Sequence, residues 1–271
     1  MIRAMFGVIA LAMIVATVPG AAQAPPIARA TAPLDLTGNW VSVVTEDWRW
    51  RMLTLAKGDA PGIPLNAEGI KVTSAWDLAK DNATGNQCKA FGAGGIMRIP
   101  TRLRISWQDD ATLKIETDAG TQTRLLRFYG AVPPRPTGEP SLQGFSVASW
   151  HVRNTGTPLL AAPGERGRGN GPRPKGSLKV VTTNLRAGYT RKNGIPYSDR
   201  TVLTEYFDRH EDFGSEWFTV MTVVDDATYY VSPFVTTTHF KKEPDGSKWH
   251  PQPCETMPPT VDVIAKGQGG D

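Results

Sequence analysis

Cysteine is scarce in this chain: Cys88 and Cys254 are the two among 271 residues. Cys88 has no cysteine or histidine at the short spacing a structural zinc site needs, so a metal-binding cysteine cluster is not expected. Beyond the first 24 residues no segment approaches the ~20 consecutive apolar residues of a membrane-spanning helix. Gly92-Ala93-Gly94-Gly95 is rich in glycine but carries no lysine and opens no evident helix, which argues against a phosphate-cradling loop. An excess of one charge is also missing, since 30 Lys and Arg face 26 Asp and Glu for a net +4. Part of that charge sits in one stretch, 163–176 (PGERGRGNGPRPKG), where glycine and proline oppose packing. Without interleaved aromatics it reads as a solvated, mobile basic loop rather than a nucleic-acid arm.

What the chain does have begins with its start. Met1-Ile2-Arg3, an apolar run over 4–18 and the small residues Ala22-Gln23-Ala24 form the pattern of a secretory signal peptide, residues 1–24, cut after Ala22 or Ala24. The expected protein is therefore periplasmic or secreted, without stable membrane insertion and without a lipid-bearing cysteine behind the signal. In an oxidising compartment two distant cysteines most simply form one disulfide, Cys88–Cys254.

Alternation of apolar and polar residues dominates from residue 100 onward. Leu103, Ile105 and Trp107, then Leu113 and Ile115, then 121–129 make three short strands joined by the tight turns Gln108-Asp109-Asp110 and Asp118-Ala119-Gly120. Further strands are expected over 142–152, 177–185, 201–208, 216–224 and 231–241, with a first long strand over 37–52 and a short piece at 95–99. A segment opening at Pro64-Leu65-Asn66-Ala67-Glu68, with Ile70, Val72 and Trp76, reads as a short helix. The fold class that follows is all-β: an antiparallel up-and-down barrel, lipocalin-like, of about nine or ten strands, with a helical insertion after the first strand. A single domain over 34–250 is followed by a Pro-rich tail, 251–271, tethered by Cys254.

Residues 45–52, TEDWRWRM, are the densest in aromatic and charged groups. Sorted as one strand, Trp40, Trp48, Trp50 and Met52 share a dry face and Asp47, Arg49 and Arg51 a solvated one. Glu46 then falls among the tryptophans, and Glu205 between Leu203 and Phe207 repeats the oddity. A carboxylate in such surroundings either meets a buried arginine or is pushed toward its neutral form, where it serves as acid, base or ligand anchor. His210 with Asp208 on one face is a conceivable base with its orienting partner. Ser198 and Asp199 follow a turn and are read either as rim residues lining an opening or as turn residues bonding their own backbone. The four histidines show no short ligand spacing, and no metal or cofactor is expected. Gly144-Phe145-Ser146-Val147-Ala148 nearly matches a nucleophile elbow, but continues as strand where that motif needs a turn and a helix.

Several segments together resemble an uncharacterised group of secreted bacterial β-rich proteins. They are Leu36-Thr37-Gly38-Asn39-Trp40, Pro64-Leu65-Asn66-Ala67-Glu68-Gly69, Trp76-Asp77 with Cys88, Gln143-Gly144-Phe145-Ser146 with Trp150, Ser198-Asp199, Thr204-Glu205-Tyr206-Phe207 and Val224-Asp225-Asp226 with Tyr229. The Gly-x-Trp opening is also similar to that of lipocalin and calycin barrels, and this likeness implies an enclosed apolar ligand. The leading expectation is thus an exported protein that binds a small apolar or aromatic ligand inside the barrel. Trp40, Trp48, Trp50, Tyr206, Ser198 and Asp199 are the candidate ligand contacts. The competing expectations are a hydrolase, lyase or isomerase using Glu46 and Glu205 or Asp208 with His210, and a structural envelope protein with a filled interior.

Overall fold

The computed structural model describes residues 28–130, 132–152 and 176–259. The signal segment, all but the last residue of the basic stretch 163–176, and the end of the tail lie outside the described residues. Alternating sequence does become strand. β1 (Gly38–Val43), β2 (Arg102–Asp109), β3 (Thr112–Thr117), β4 (Thr123–Phe128), β5 (Phe145–Val152) and β6 (Gly176–Thr183) join β9 (Val202–Asp212), β10 (Ser215–Asp225) and β11 (Phe234–Glu243) in one closed barrel. The barrel order is β1-β11-β10-β9-β6-β5-β4-β3-β2. A ring of nine strands cannot alternate direction all the way round, and the one parallel contact is β4 against β5, with Leu126 opposite Ser146. The barrel therefore departs from strict up-and-down order at that seam, and again where β6 pairs with β9. Between those two, β7 (Gly188–Arg191) and β8 (Ile195–Tyr197) form a separate hairpin.

The inward face carries the main core. Trp40, Leu103, Ile115, Leu126, Leu178, Val180, Phe207, Phe218, Val220 and Phe240 are fully buried. Phe218 packs edge-on to Trp40 at 4.7 Å and stacks on Phe240 at 4.8 Å. A second apolar cluster of Leu185, Tyr197, Leu203, Val224, Tyr230 and Phe234 plugs one end. That end receives β7 and β8 and all the short helices: α1 (Trp48–Met52), α2 (Ala67–Ala75), α3 (Leu78–Ala83) and α4 (Ala93–Ile96). The expected helix after Asn66 is α2, and Asn66 caps it by accepting from the Gly69 backbone N–H at 2.9 Å.

Two expectations fail here. The first strand stops at Val43 rather than running to Met52, and the piece at 95–99 belongs to α4 and the turn after it. Glycine explains the second. A Cβ at Gly95 would come within 2.6 Å of the Ala90 and Tyr189 carbonyls, and one at Gly94 within 2.8 Å of the Tyr197 ring. The segment is a close-packed helical turn against β7 rather than a strand. The disulfide Cys88–Cys254 forms as expected, with a Cα separation of 5.0 Å. It fixes the tail beside the turn after β3, where the Gln252 N–H donates to the Asp118 carbonyl at 2.8 Å. Among the described residues no helix is long and apolar enough to cross a membrane.

Candidate functional site

The residues 45–52 do not form the two-faced strand that their alternation suggests. Asp47 takes a left-handed backbone conformation, φ 51°, which aspartate tolerates better than most residues. The chain turns there and winds into α1. Helical spacing then reverses the assignments: Trp48 and Met52 are 62% and 54% exposed, whereas Arg51, expected in the solvated row, is buried. Arg51 donates from Nε to the Arg98 carbonyl (3.0 Å), from Nη1 to Glu46 Oε1 (2.6 Å) and from Nη2 to Ser42 Oγ (2.8 Å). Glu46 is thus held by a buried arginine. Its second oxygen accepts from the Thr45 hydroxyl at 2.5 Å and lies 3.7 Å from His239 Nε2. Burial lowers the Arg51 pKa, and the Glu46 charge opposes that shift.

Two more arginines reach the same place. Arg98 follows α4 by one turn, and Arg191 ends β7, where the register against β8 shifts between Tyr189 and Arg191. Such an irregularity re-aims a side chain. Arg98 and Arg191 are each only 6% exposed. Arg98 Nη2 donates to Asp47 Oδ2 at 2.8 Å, and Arg191 Nη1 to the Pro61 carbonyl at 3.1 Å. Arg98 Nη1 and Arg191 Nε are buried with no hydrogen-bond partner among the described residues. The Arg191 guanidinium lies 4.8 Å from the Trp50 ring centre and 5.9 Å from that of Phe234. Burial, then repulsion from Arg98, lowers its pKa to about 10. Lys192 donates to the Met52 carbonyl at 3.1 Å, and burial lowers its pKa too.

These side chains line a crevice open to solvent between α1, α4 and β7, with Trp50 and Ile99 as its apolar walls. The unfilled space behind its mouth is about 10 Å³, room for one water-sized atom. Clustered guanidiniums with free N–H groups, an aromatic wall and access from solvent can take up an oxyanion.

The remaining candidates are dispersed. Glu205 points into the barrel as expected and is completely buried, as is Arg124, which meets it in a two-pronged pair at 3.0 and 2.5 Å. Thr182 Oγ1 lies 3.5 Å from Arg124 Nη2 and 2.7 Å from Ser146 Oγ. Ser146, the elbow serine, is therefore a buried strand residue. Trp40 is core, its indole N–H donating to the Leu36 carbonyl at 2.8 Å. Asp208 and His210 are exposed on the outer wall. Tyr206 is half-buried on that wall, 6.1 Å from the His151 ring. Ser198 is buried and donates to Asp226 Oδ1 at 2.9 Å while accepting from the Arg200 N–H at 3.1 Å; neighbouring Asp199 is exposed. Ser198 is thus seated in a turn, one of its two expected places. Of the candidate residues only Glu46 and Trp50 come together with the crevice, whereas Arg51, Arg98 and Arg191 carry no local motif that marks them as site residues. Among the described residues there is no group of three or more His, Cys, Asp or Glu placed to hold a metal ion.

No known protein family, curated protein or solved structure matches this chain.

Proposed function

We propose that this is an exported binding protein for a small molecule with an aromatic or apolar part, and that the ligand sits in the α1–α4–β7 crevice rather than within the barrel. The barrel interior supports an interior site poorly, because the described inward side chains Trp40, Phe207, Phe218 and Phe240 are fully buried against one another and Arg124 neutralises Glu205. The observation that carries the reading is the crevice wall: Trp50 beneath Arg191, unfilled space beside them, and access from solvent. The signal-like start and the disulfide support export. Native mass spectrometry of protein purified from its own host tests the reading, since a co-purified small molecule is expected. The molecule should be lost from Trp50→Ala and retained by a variant on the outer wall, Asp208→Asn. Retention by Trp50→Ala would refute the crevice as the site.

A further inference from the structure

From the chemistry of the same crevice we infer the class of its ligand: an organic monoanion, a carboxylate carried on a flat apolar body. The inference rests on the crevice being the site.

Three observations meet. Four cations line the crevice, Arg51, Arg98, Arg191 and Lys192. Against them stand Glu46 and Asp47 in direct contact, and Asp59 acting on Arg191 from farther away. Four positive charges less three negative leave one positive charge uncompensated. A monoanion closes that balance, and a phosphate dianion overshoots it. Second, the buried and unpartnered N–H groups of Arg98 Nη1 and Arg191 Nε are strong donors, and leaving them unpaired is costly. Both arginines line the crevice, and an oxyanion seated there supplies an acceptor together with charge, whereas a neutral carbonyl supplies the acceptor alone. Third, the space behind the mouth, about 10 Å³, admits an oxygen atom and excludes a ring. One carboxylate oxygen enters, and the rest of the molecule stays at the mouth beside Trp50, with exposed Trp48 and Met52 on the same short helix.

Benzoate, its neutral counterpart benzamide, acetate and inorganic phosphate are the probes, titrated calorimetrically into the full mature protein at fixed ionic strength. Benzoate is expected to bind, with acetate and phosphate weaker and benzamide weaker by about 10- to 100-fold, the contribution of a charged hydrogen bond. Arg191→Gln removes one free donor and its charge and should weaken benzoate by a similar factor. Since Arg98 also holds Asp47, Arg98→Lys serves as its second variant, keeping the charge and losing the fork. Equal affinity for benzoate and benzamide, both lost in Trp50→Ala, would overturn the anion and leave the crevice reading standing. Benzoate binding that ignores Trp50→Ala and Arg191→Gln alike would overturn the crevice itself. Phosphate binding more tightly than benzoate, or none of the four probes binding, would overturn the carboxylate.

Discussion

Arg124→Met is the sharpest test of what the barrel interior is for. Both partners of the Arg124–Glu205 pair are fully buried, and the contact is two-pronged. Removing the arginine strands a fully buried carboxylate, and the other side chain Arg124 contacts there, Thr182, is bonded to Ser146 at 2.7 Å. Breaking a buried pair from one side costs about 3–5 kcal/mol. At roughly 2–4 °C per kcal/mol for a domain of this size, the melting temperature should fall by about 6–20 °C. The double variant Arg124→Met/Glu205→Leu removes both charges while keeping apolar volume. Its stability should return to within about 1 kcal/mol of the parent or exceed it, because burying a charge pair gains little over apolar packing. Urea unfolding of parent, both single variants and the double variant closes the cycle. If Arg124→Met lost less than about 1 kcal/mol, or if the double variant were no better than the worse single one, the pair would not be the buried strut described here.

Other outcomes follow from the same geometry. Gly194→Ala should destabilise by at least about 2 kcal/mol in thermal unfolding, because φ there is +79° and a Cβ would sit 2.1 Å from the Trp76 ring. Cys88→Ser opens a loop of 166 residues. The chain-entropy estimate for it is about 5 kcal/mol at the upper end, so the melting temperature should fall equally in the variant and in the reduced parent. Benzoate affinity should stay high around neutral pH, where its carboxylate and the arginines are charged, and should fall on the alkaline side, where burial has lowered the pKa of Lys192 and Arg191. Arg191, its pKa lowered to about 10, loses its proton as the pH rises through that value, and affinity weakens over the same range. The linkage has a definite sign. The Arg191 pKa is lowered by folding, so its charge opposes folding at neutral pH, and a bound anion offsets that cost.

The barrel was legible because a strand with one buried face writes its period directly into the sequence, as Leu103, Ile105 and Trp107 do in β2. The parallel β4–β5 seam was not legible, since which strands become neighbours is settled by closure of the ring and not by local pattern. Period alone also misread 45–52. Trp48, Trp50 and Met52 are as compatible with strand alternation as with one helical turn, and Asp47 in a left-handed conformation decides between them. Glu205 was legible as an inward carboxylate because its flanks, Leu203 and Phe207, lie two positions away on either side; its partner Arg124 comes from a distant strand. Arg98 and Arg191 belong to separate insertions that only the folded end brings together. The one local sign was arginine beside segments that pack tightly, next to Gly94-Gly95 and after Gly188-Tyr189.

The most direct test of the crevice is the Arg191 Nε–Hε resonance in ¹⁵N-labelled protein. Its donor is buried and unpartnered, so in the free protein the signal should be distinct, and it should gain protection from exchange only when an acceptor binds. On titration with benzoate it should move downfield and saturate together with the Trp50 indole resonance, while benzamide should need about 10- to 100-fold higher concentration to move it. A benzoate titration that saturates elsewhere in the spectrum and leaves the Arg191 and Trp50 resonances unmoved would contradict the account.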